Sequence, residues 1–237
     1  MSGVVTKRRG TKVYALHNVY GALYNGYAAT YNTGGASIAP VGWHVPNETE
    51  PSILVVYLDP DGTFYTNTAG GELKEIGTTH WNNPNTGANN ASKFTALGSG
   101  ERLETGEFTG IKQYHRIWSP NQLSQYGIME LAYGGTRVGC FFAGIGTPTS
   151  NPKCGKTIRL IKDSTILSNG QTSTMTDYDG NIYPTVCIGT QEWMALDLKV
   201  KHYNDGTLIT VVTDDSTWAG LTTGAMCFYN NDENYNS

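Results

Sequence analysis

The chain has no run of the roughly 20 apolar residues that a membrane-spanning helix needs, so no membrane span is expected. Its N-terminus has a basic run but no apolar core behind it, which does not match a secretory signal. Either a leader has been removed, or the protein reaches the outside by another route; a virion component released by lysis needs no leader. No C-x-x-C pair is present, so a zinc ribbon is not expected. His17, His44, His80, His115 and His202 include no pair at the i, i+4 spacing of helical metal ligands. There is no Gly-x-Ser-x-Gly elbow and no phosphate loop. With no nucleophile–base pair, metal cluster or phosphate loop to read, the expectation is a non-catalytic protein without a cofactor.

Charge is also scarce, at 15% of 237 residues, while Gly (29) and Tyr (15) are plentiful. That balance suits a loop-rich β-containing protein better than a helical one. Hydrophobic content is 38%, but five Trp and the tyrosines carry large areas into a core. The length allows one large or two small domains. The net charge of −4 is unevenly spread. Residues 1–17 hold Lys7, Arg8, Arg9 and Lys12 and no acid, whereas residues 175–237 hold nine acids against Lys199 and Lys201. Four basic charges without interleaved aromatics make a poor nucleic-acid signal, so a solubilising or subunit-contacting arm is expected and no nucleic-acid partner. Cys140, Cys154, Cys187 and Cys227 allow three pairings. Pairing of Cys140 with Cys154 across a hairpin and four buried free thiols both remain open.

Helical signals are few. Asn47 with Glu50 three residues on reads as a capped helix start, with Pro51 in its first turn. Ile53, Leu54, Tyr57 and Leu58 give it an apolar face, and Asp59-Pro60-Asp61-Gly62 stops it. Leu23, Tyr27 and Tyr31 predict a second helix over 19–31, and Glu72 to Ile76 a short turn of helix. Strands are expected at Val4–Thr6 and Lys12–Leu16 as a hairpin, at Arg137–Phe142, and at Thr157–Ile161. Asn181–Tyr183 with Thr185–Ile188, and Leu208–Ile209 with Val211–Val212, read as hairpin pairs. Residues 164–174 read as a polar linker.

Several motifs stand out by their order. Met175-Thr176-Asp177-Tyr178-Asp179-Gly180-Asn181-Ile182-Tyr183, Ile188-Gly189-Thr190-Gln191-Glu192-Trp193-Met194-Ala195 and His202-Tyr203-Asn204-Asp205-Gly206-Thr207 read like the opening of a domain, yet they come last. Gly42-Trp43-His44-Val45-Pro46, Gly71-Glu72-Leu73-Lys74-Glu75, Gly77-Thr78-Thr79-His80-Trp81, Phe94-Thr95-Ala96-Leu97, Trp118-Ser119 and Ile158-Arg159-Leu160-Ile161-Lys162-Asp163 read like its remainder. Together they resemble the Fibrobacter succinogenes major paralogous domain, a family of surface-associated modules, in permuted order. The resemblance implies an α+β, C-type-lectin-like fold, with Trp43, Trp81, Trp118 and Trp193 in its core and His44 and His80 as structural histidines. The family usually has Trp where Gly26 and Pro51 sit and Cys where Leu160 sits, which removes the implied partner of Cys227. The expected layout is a basic arm at 1–17, the main part at 18–163, the linker at 164–174, and a permuted segment at 175–237 that completes its own domain or a neighbour's.

Two ligand readings follow. The lectin-type Glu-Pro-Asn and Gln-Pro-Asp tripeptides are absent; Asp177–Asn181 and Asn230–Asn234 are rich in oxygens, so calcium stays open, but the glycine of Asp177-Tyr178-Asp179-Gly180-Asn181 comes too early for an EF-hand loop and a tight turn is the better reading. A glycan site would use an aromatic beside amides, which Trp81, Asn82, Asn83, Asn85, Asn89 and Asn90 offer. Lys7, Arg8, Arg9 and Lys12 against Asp232 and Glu233 are the candidate subunit contacts. The expected function is a self-assembling structural or adhesion subunit of an extracellular surface, fibre or virion, forming a homo-oligomer or filament. The alternative is a monomeric carbohydrate-binding module that meets cell-surface glycans.

Overall fold

The computed structural model describes residues 19–30, 32, 36–63, 66–120, 126–141 and 151–235. The expected basic hairpin of residues 4–16, with Lys7, Arg8, Arg9 and Lys12, lies outside them. In chain order the elements are β1 (Leu23–Asn25), α1 (Gly26–Ala29), β2 (Trp43–His44), α2 (Glu50–Leu58), α3 (Gly70–Leu73), β3 (Ser99–Arg102), β4 (Phe108–Ile111), β5 (Tyr114–Trp118), β6 (Ile128–Ala132) and β7 (Val138–Phe141). They continue with β8 (Gly155–Lys156), β9 (Ile161–Lys162), β10 (Thr172–Thr176), β11 (Ile182–Ile188), β12 (Gln191–Met194), β13 (Thr210–Val211), α4 (Asp215–Ala219) and β14 (Ala225–Cys227). The fold is therefore mixed α+β, mostly sheet, with a few short helices.

Nine strands form one sheet in the order β13-β14-β1-β8-β3-β5-β6-β7, with β4 paired to β3. Five form a second, in the order β10-β11-β12-β9-β2. Both sheets mix early and late residues. Leu23 pairs with Cys227 across β1 and β14, and Trp193 pairs with Ile161 across β12 and β9. One apolar cluster likewise joins Ala22, Tyr24, Trp118, Ile158 and Leu160 to Met175, Tyr183, Met194, Leu198 and Met226. Within this chain, residues 175–235 thus pack against residues 19–162.

Several local expectations are corrected. The helix predicted over 19–31 is a strand followed by four helical residues. Leu23–Asn25 is held extended by β14 on one side and β8 on the other, and the Asn25 side chain caps the helix by accepting from Ala28 N at 2.9 Å. Tertiary pairing overrides the four-residue spacing here. The run Ile182–Ile188 is one strand through Pro184, not a hairpin pair; its neighbours are β10 and β12. Pro184 has no N–H to lose, and its carbonyl accepts from Ala195 N at 2.8 Å. Residues 172–174 of the expected linker belong to β10. Leu208–Val212 contains β13, which runs parallel to β14 instead of folding back on itself. The buried run Thr157–Leu160 does not form one strand: Thr157 bonds to Arg116 and Trp118 in the large sheet, and Leu160 O accepts from Met194 N in the small one. It is the crossing between the sheets. In α2, Glu50 reaches back to Asn47 N at 2.7 Å as expected, although the helix begins at Glu50 itself.

Two arginines fasten the late segment. Arg102 Nε donates to Gly106 O at 2.8 Å, and its other nitrogens donate to Val212 O (2.6 Å), Thr213 O (3.1 Å) and Asp215 Oδ1 (2.8 Å). Its plane lies against Trp218 and Phe108. Arg159 bonds Asp197 Oδ1 at 2.6 Å and the carbonyls of Phe94 and Thr95. Both are fully buried. Burial of a guanidinium is tolerable only when its charge and N–H groups are met, and here they are.

Candidate functional site

The oxygen-rich stretches Asp177–Asn181 and Asn230–Asn234 are brought to one place. Asp177 Oδ1 accepts from Asn181 N at 2.9 Å, and its Oδ2 accepts from Asn181 Nδ2 at 2.9 Å and from the Tyr183 hydroxyl at 2.6 Å. Gly180 supplies the positive φ of 81° that this turn needs. The Asp177 carboxylate is thereby used inside its own turn, which explains the motif without a cation. Among the described residues no group of three His, Cys, Asp or Glu side chains is placed to hold a metal ion.

The turn forms one wall of a cleft of about 320 Å³, lined by Asp179, Asn181, Lys199, Lys201, His202, Phe228, Glu233 and Asn234. The opposite wall comes from the residues after β14. Leu198 and Val200 point into the core while Lys199 and Lys201 alternate outward. Asp179 is held by Lys201 N and by His202 Nδ1, each at 2.5 Å. Lys201 Nζ pairs with Glu233 Oε1 at 2.7 Å and sits over the Phe228 ring. Glu233, expected as a subunit contact, is thus tied to a lysine of its own chain; Asp232 is exposed nearby. The Tyr178 ring packs against His202 at 5.7 Å, kept there because Gly206 leaves room for its hydroxyl. Among the described residues the Lys199 ammonium, His202 Nε2 and the Asn234 amide have no partner.

The 81–90 loop is arranged differently from the glycan expectation. Trp81 is 1% exposed and its Nε1 donates to Ala96 O at 2.9 Å, so its face is closed to a ligand. Asn85 is also buried, donating to Glu75 O and Gly77 O. Asn90 closes on Thr95, and Asn89 caps Ala91 N. Of the six candidate residues only Asn82, Asn83 and Asn89 are exposed, with no aromatic surface beside them in the motif. Lys74 holds this loop from within, donating to the carbonyls of Thr86, Ala132 and Gly135. Burial pulls its ammonium down to about 8.

Other titratable groups are spent on structure. His44 bridges Glu50 (2.8 Å) and Asp163 (2.6 Å), and His80 bonds Glu75 at 2.9 Å. Hydrogen bonding to Glu50, reinforced by Asp163, raises the His44 pKa. Glu101 ties Lys156 to Arg116, which also binds Glu130 at 2.6 Å. Burial pushes the His115 imidazole down to about 4 despite Asp197 3.6 Å away. The four cysteines are buried free thiols, and burial raises Cys140 and Cys227 to about 12 and Cys154 to about 11.

A model of the Fibrobacter succinogenes major domain matches residues 7–162, about two thirds of the chain. The chain belongs to the Fibrobacter succinogenes major domain family. The match stops short of residues 175–237, which carry the motifs that resemble the family's start. No curated protein and no solved structure matches the chain. Nothing in the family's name assigns a ligand, so the cleft must be read from its own residues.

Proposed function

We propose that this chain is a non-catalytic structural or adhesion protein of an extracellular surface or virion, with a C-type-lectin-like fold, whose copies associate by strand addition. The observation that carries this reading is the outer edge of β10. It ends the five-stranded sheet, and no described strand pairs with its outer side. Its five residues, Thr172-Ser173-Thr174-Met175-Thr176, include no charge and no proline, and four of them are exposed. Open edges of this kind template pairing with another chain, and proteins that stay monomeric usually blunt them with lysine, proline or bulges. The lectin-like reading is supported by the placement of β9 and β11 on either side of β12, since the motif order puts those segments at the two ends of the family domain. The non-catalytic reading is supported by the ion pairs that occupy Arg102, Arg116, Lys156 and Arg159 inside the fold.

Association through an edge differs from exchange of the whole 175–237 segment. That segment already pairs with its own chain through β14–β1 and β12–β9, so a lighter contact suffices. Light scattering and negative-stain imaging over a concentration series test the proposal. Oligomers or filaments are expected from the full chain, and monomers from Ser173→Lys/Thr174→Lys. Deleting residues 1–17 asks whether the basic arm donates the added strand. A full chain that stays monomeric at high concentration rejects assembly and leaves a solitary carbohydrate-binding module as the reading.

A further inference from the structure

We propose that the cleft between the Asp177–Asn181 turn and the Phe228–Asn234 segment binds an anionic sugar, a hexuronic acid unit carrying one carboxylate and several ring hydroxyls. The proposal goes beyond assembly and holds for a single copy. Size comes first: about 320 Å³ lies at the small end of ligand sites and suits one sugar ring. Charge comes second. The Asp179 carboxylate is bonded by the His202 ring and Lys201 N, and Glu233 pairs with Lys201 Nζ, so among the described residues Lys199 is the cleft ammonium without a carboxylate. An ammonium with no carboxylate of its own is a point-charge partner for one ligand carboxylate. Polar valence comes third. Asp179 and Glu233 keep acceptor capacity beyond their pairs, and among the described residues the Asn234 side-chain amide and His202 Nε2 have no partner. Donors and acceptors mixed at this density fit a polyol, whose hydroxyls both donate and accept, better than a simple anion.

The apolar side of a sugar also has a counterpart. Tyr178 is about half exposed and stands at 47° to the His202 ring, beside the cleft. A tyrosine ring presents a flat apolar face with a polar tip, which matches the C–H face of a pyranose. Position adds to this. The cleft is made from the turn before β11, the Lys199–His202 run and the chain after β14, three pieces held together by the bonds of Asp179 to Lys201 N and His202, of Lys199 N to the Tyr183 hydroxyl, and of Lys201 to Glu233. Its groups are therefore set before a ligand arrives.

Titration of the ¹⁵N-labelled full chain with sodium D-glucuronate, D-galacturonate, D-glucose and sodium acetate tests the proposal by chemical-shift mapping. Saturable shifts at Asp179–Asn181, Lys199–His202 and Glu233–Asn234 are expected with a uronate. Glucose and acetate should each bind at least about tenfold more weakly, a difference of about 1.4 kcal/mol. Lys199→Gln should bring the uronate down to the affinity of glucose while its spectrum elsewhere and its melting temperature stay unchanged. Acetate binding as tightly as a uronate would reduce the site to a simple anion site and overturn the proposal, as would uronate binding indifferent to Lys199→Gln. Absence of any shift up to tens of millimolar overturns it outright, and repeating the titration on the Ser173→Lys/Thr174→Lys chain, whose substitutions lie outside the cleft, separates these outcomes from association.

Discussion

Buried cations and cleft cations behave in opposite ways in this molecule. At Arg102 and Arg159 every direction of the guanidinium finds a carbonyl, a carboxylate or an aromatic face, with no exposure to water. At Lys199 and His202, a short distance along the chain from Asp197, an ammonium and a ring nitrogen are left without partners among the described residues. The buried arginines come from residues 18–163 and the cleft bases from residues 175–237. What separates them is saturation: a charge whose valence is filled holds structure, and a charge with valence to spare can hold something else.

The comparison is broken hardest at Arg159. Arg159→Ala leaves the Asp197 carboxylate buried without its partner, and a loss of about 3–5 kcal/mol is expected in urea unfolding. The double variant Arg159→Met/Asp197→Leu should recover much of that loss, because it removes both charges together. The next effect is acid sensitivity at His115. Its folded pKa of about 4 lies below the free value of about 6.5, so its share of stability is complete above about 6.5 and disappears as pH falls toward 4. At 1.36 kcal/mol for each tenfold step in proton concentration, that share is about 3 kcal/mol. The groups facing it are Asp197, Arg159 and Ser99, and the Leu97 backbone. His115→Asn should flatten the stability–pH curve between about 6.5 and 4. His44 acts in the opposite sense: its raised pKa adds stability below the free value, and that part is lost as pH rises through the folded one.

A smaller effect sharpens the boundary between the regions. Asp177 borders the cleft, yet its three accepted bonds are structural. Asp177→Ala should cost about 1–3 kcal/mol in thermal unfolding by leaving Asn181 N and the Tyr183 hydroxyl unmet. The smallest change is expected at Lys199, where Lys199→Gln should move stability by no more than about 0.5 kcal/mol. A Lys199 variant that melts early would place Lys199 with the buried arginines and dissolve the contrast.

Local chemistry was readable in advance, and convergence was not. The Asp177–Gly180 turn follows from short-range rules and is found; of the capped start of α2 only the bond from Asn47 N to Glu50 is, since Thr49 precedes the helix without a side-chain cap and Asn47 Oδ1 accepts from Thr49. Trp81, Trp118 and Trp193 fall in motifs and are buried, as the motifs imply, whereas Trp43, expected in the core with them, is only partly buried at its margin. The same burial removes Trp81 from the glycan role that its neighbouring amides suggested. Leu23, Tyr27 and Tyr31 misled because their spacing could not show that β14, two hundred residues later, would hold Leu23 extended. The cleft was missed because its walls come from three separated pieces. A signal was present in Leu198-Lys199-Val200-Lys201, where alternation puts both lysines on the outer side. Arg159 offered another, since an arginine between Ile158 and Leu160 in an apolar run calls for a buried acid elsewhere.

Asn25 carries one last implication. Its side chain caps α1, accepts from Ala225 N at 3.0 Å and donates to Thr223 O at 2.8 Å, so a single buried amide needs both ends of the polypeptide at once. During synthesis, at about 5–20 residues per second, the ribosome needs about 10–40 s to make the partner of a strand already waiting outside the tunnel. Throughout that interval β1 shows an open backbone to the cell. The strand that lies between β14 and β8 is thus among the first made and among the last to be paired on both sides.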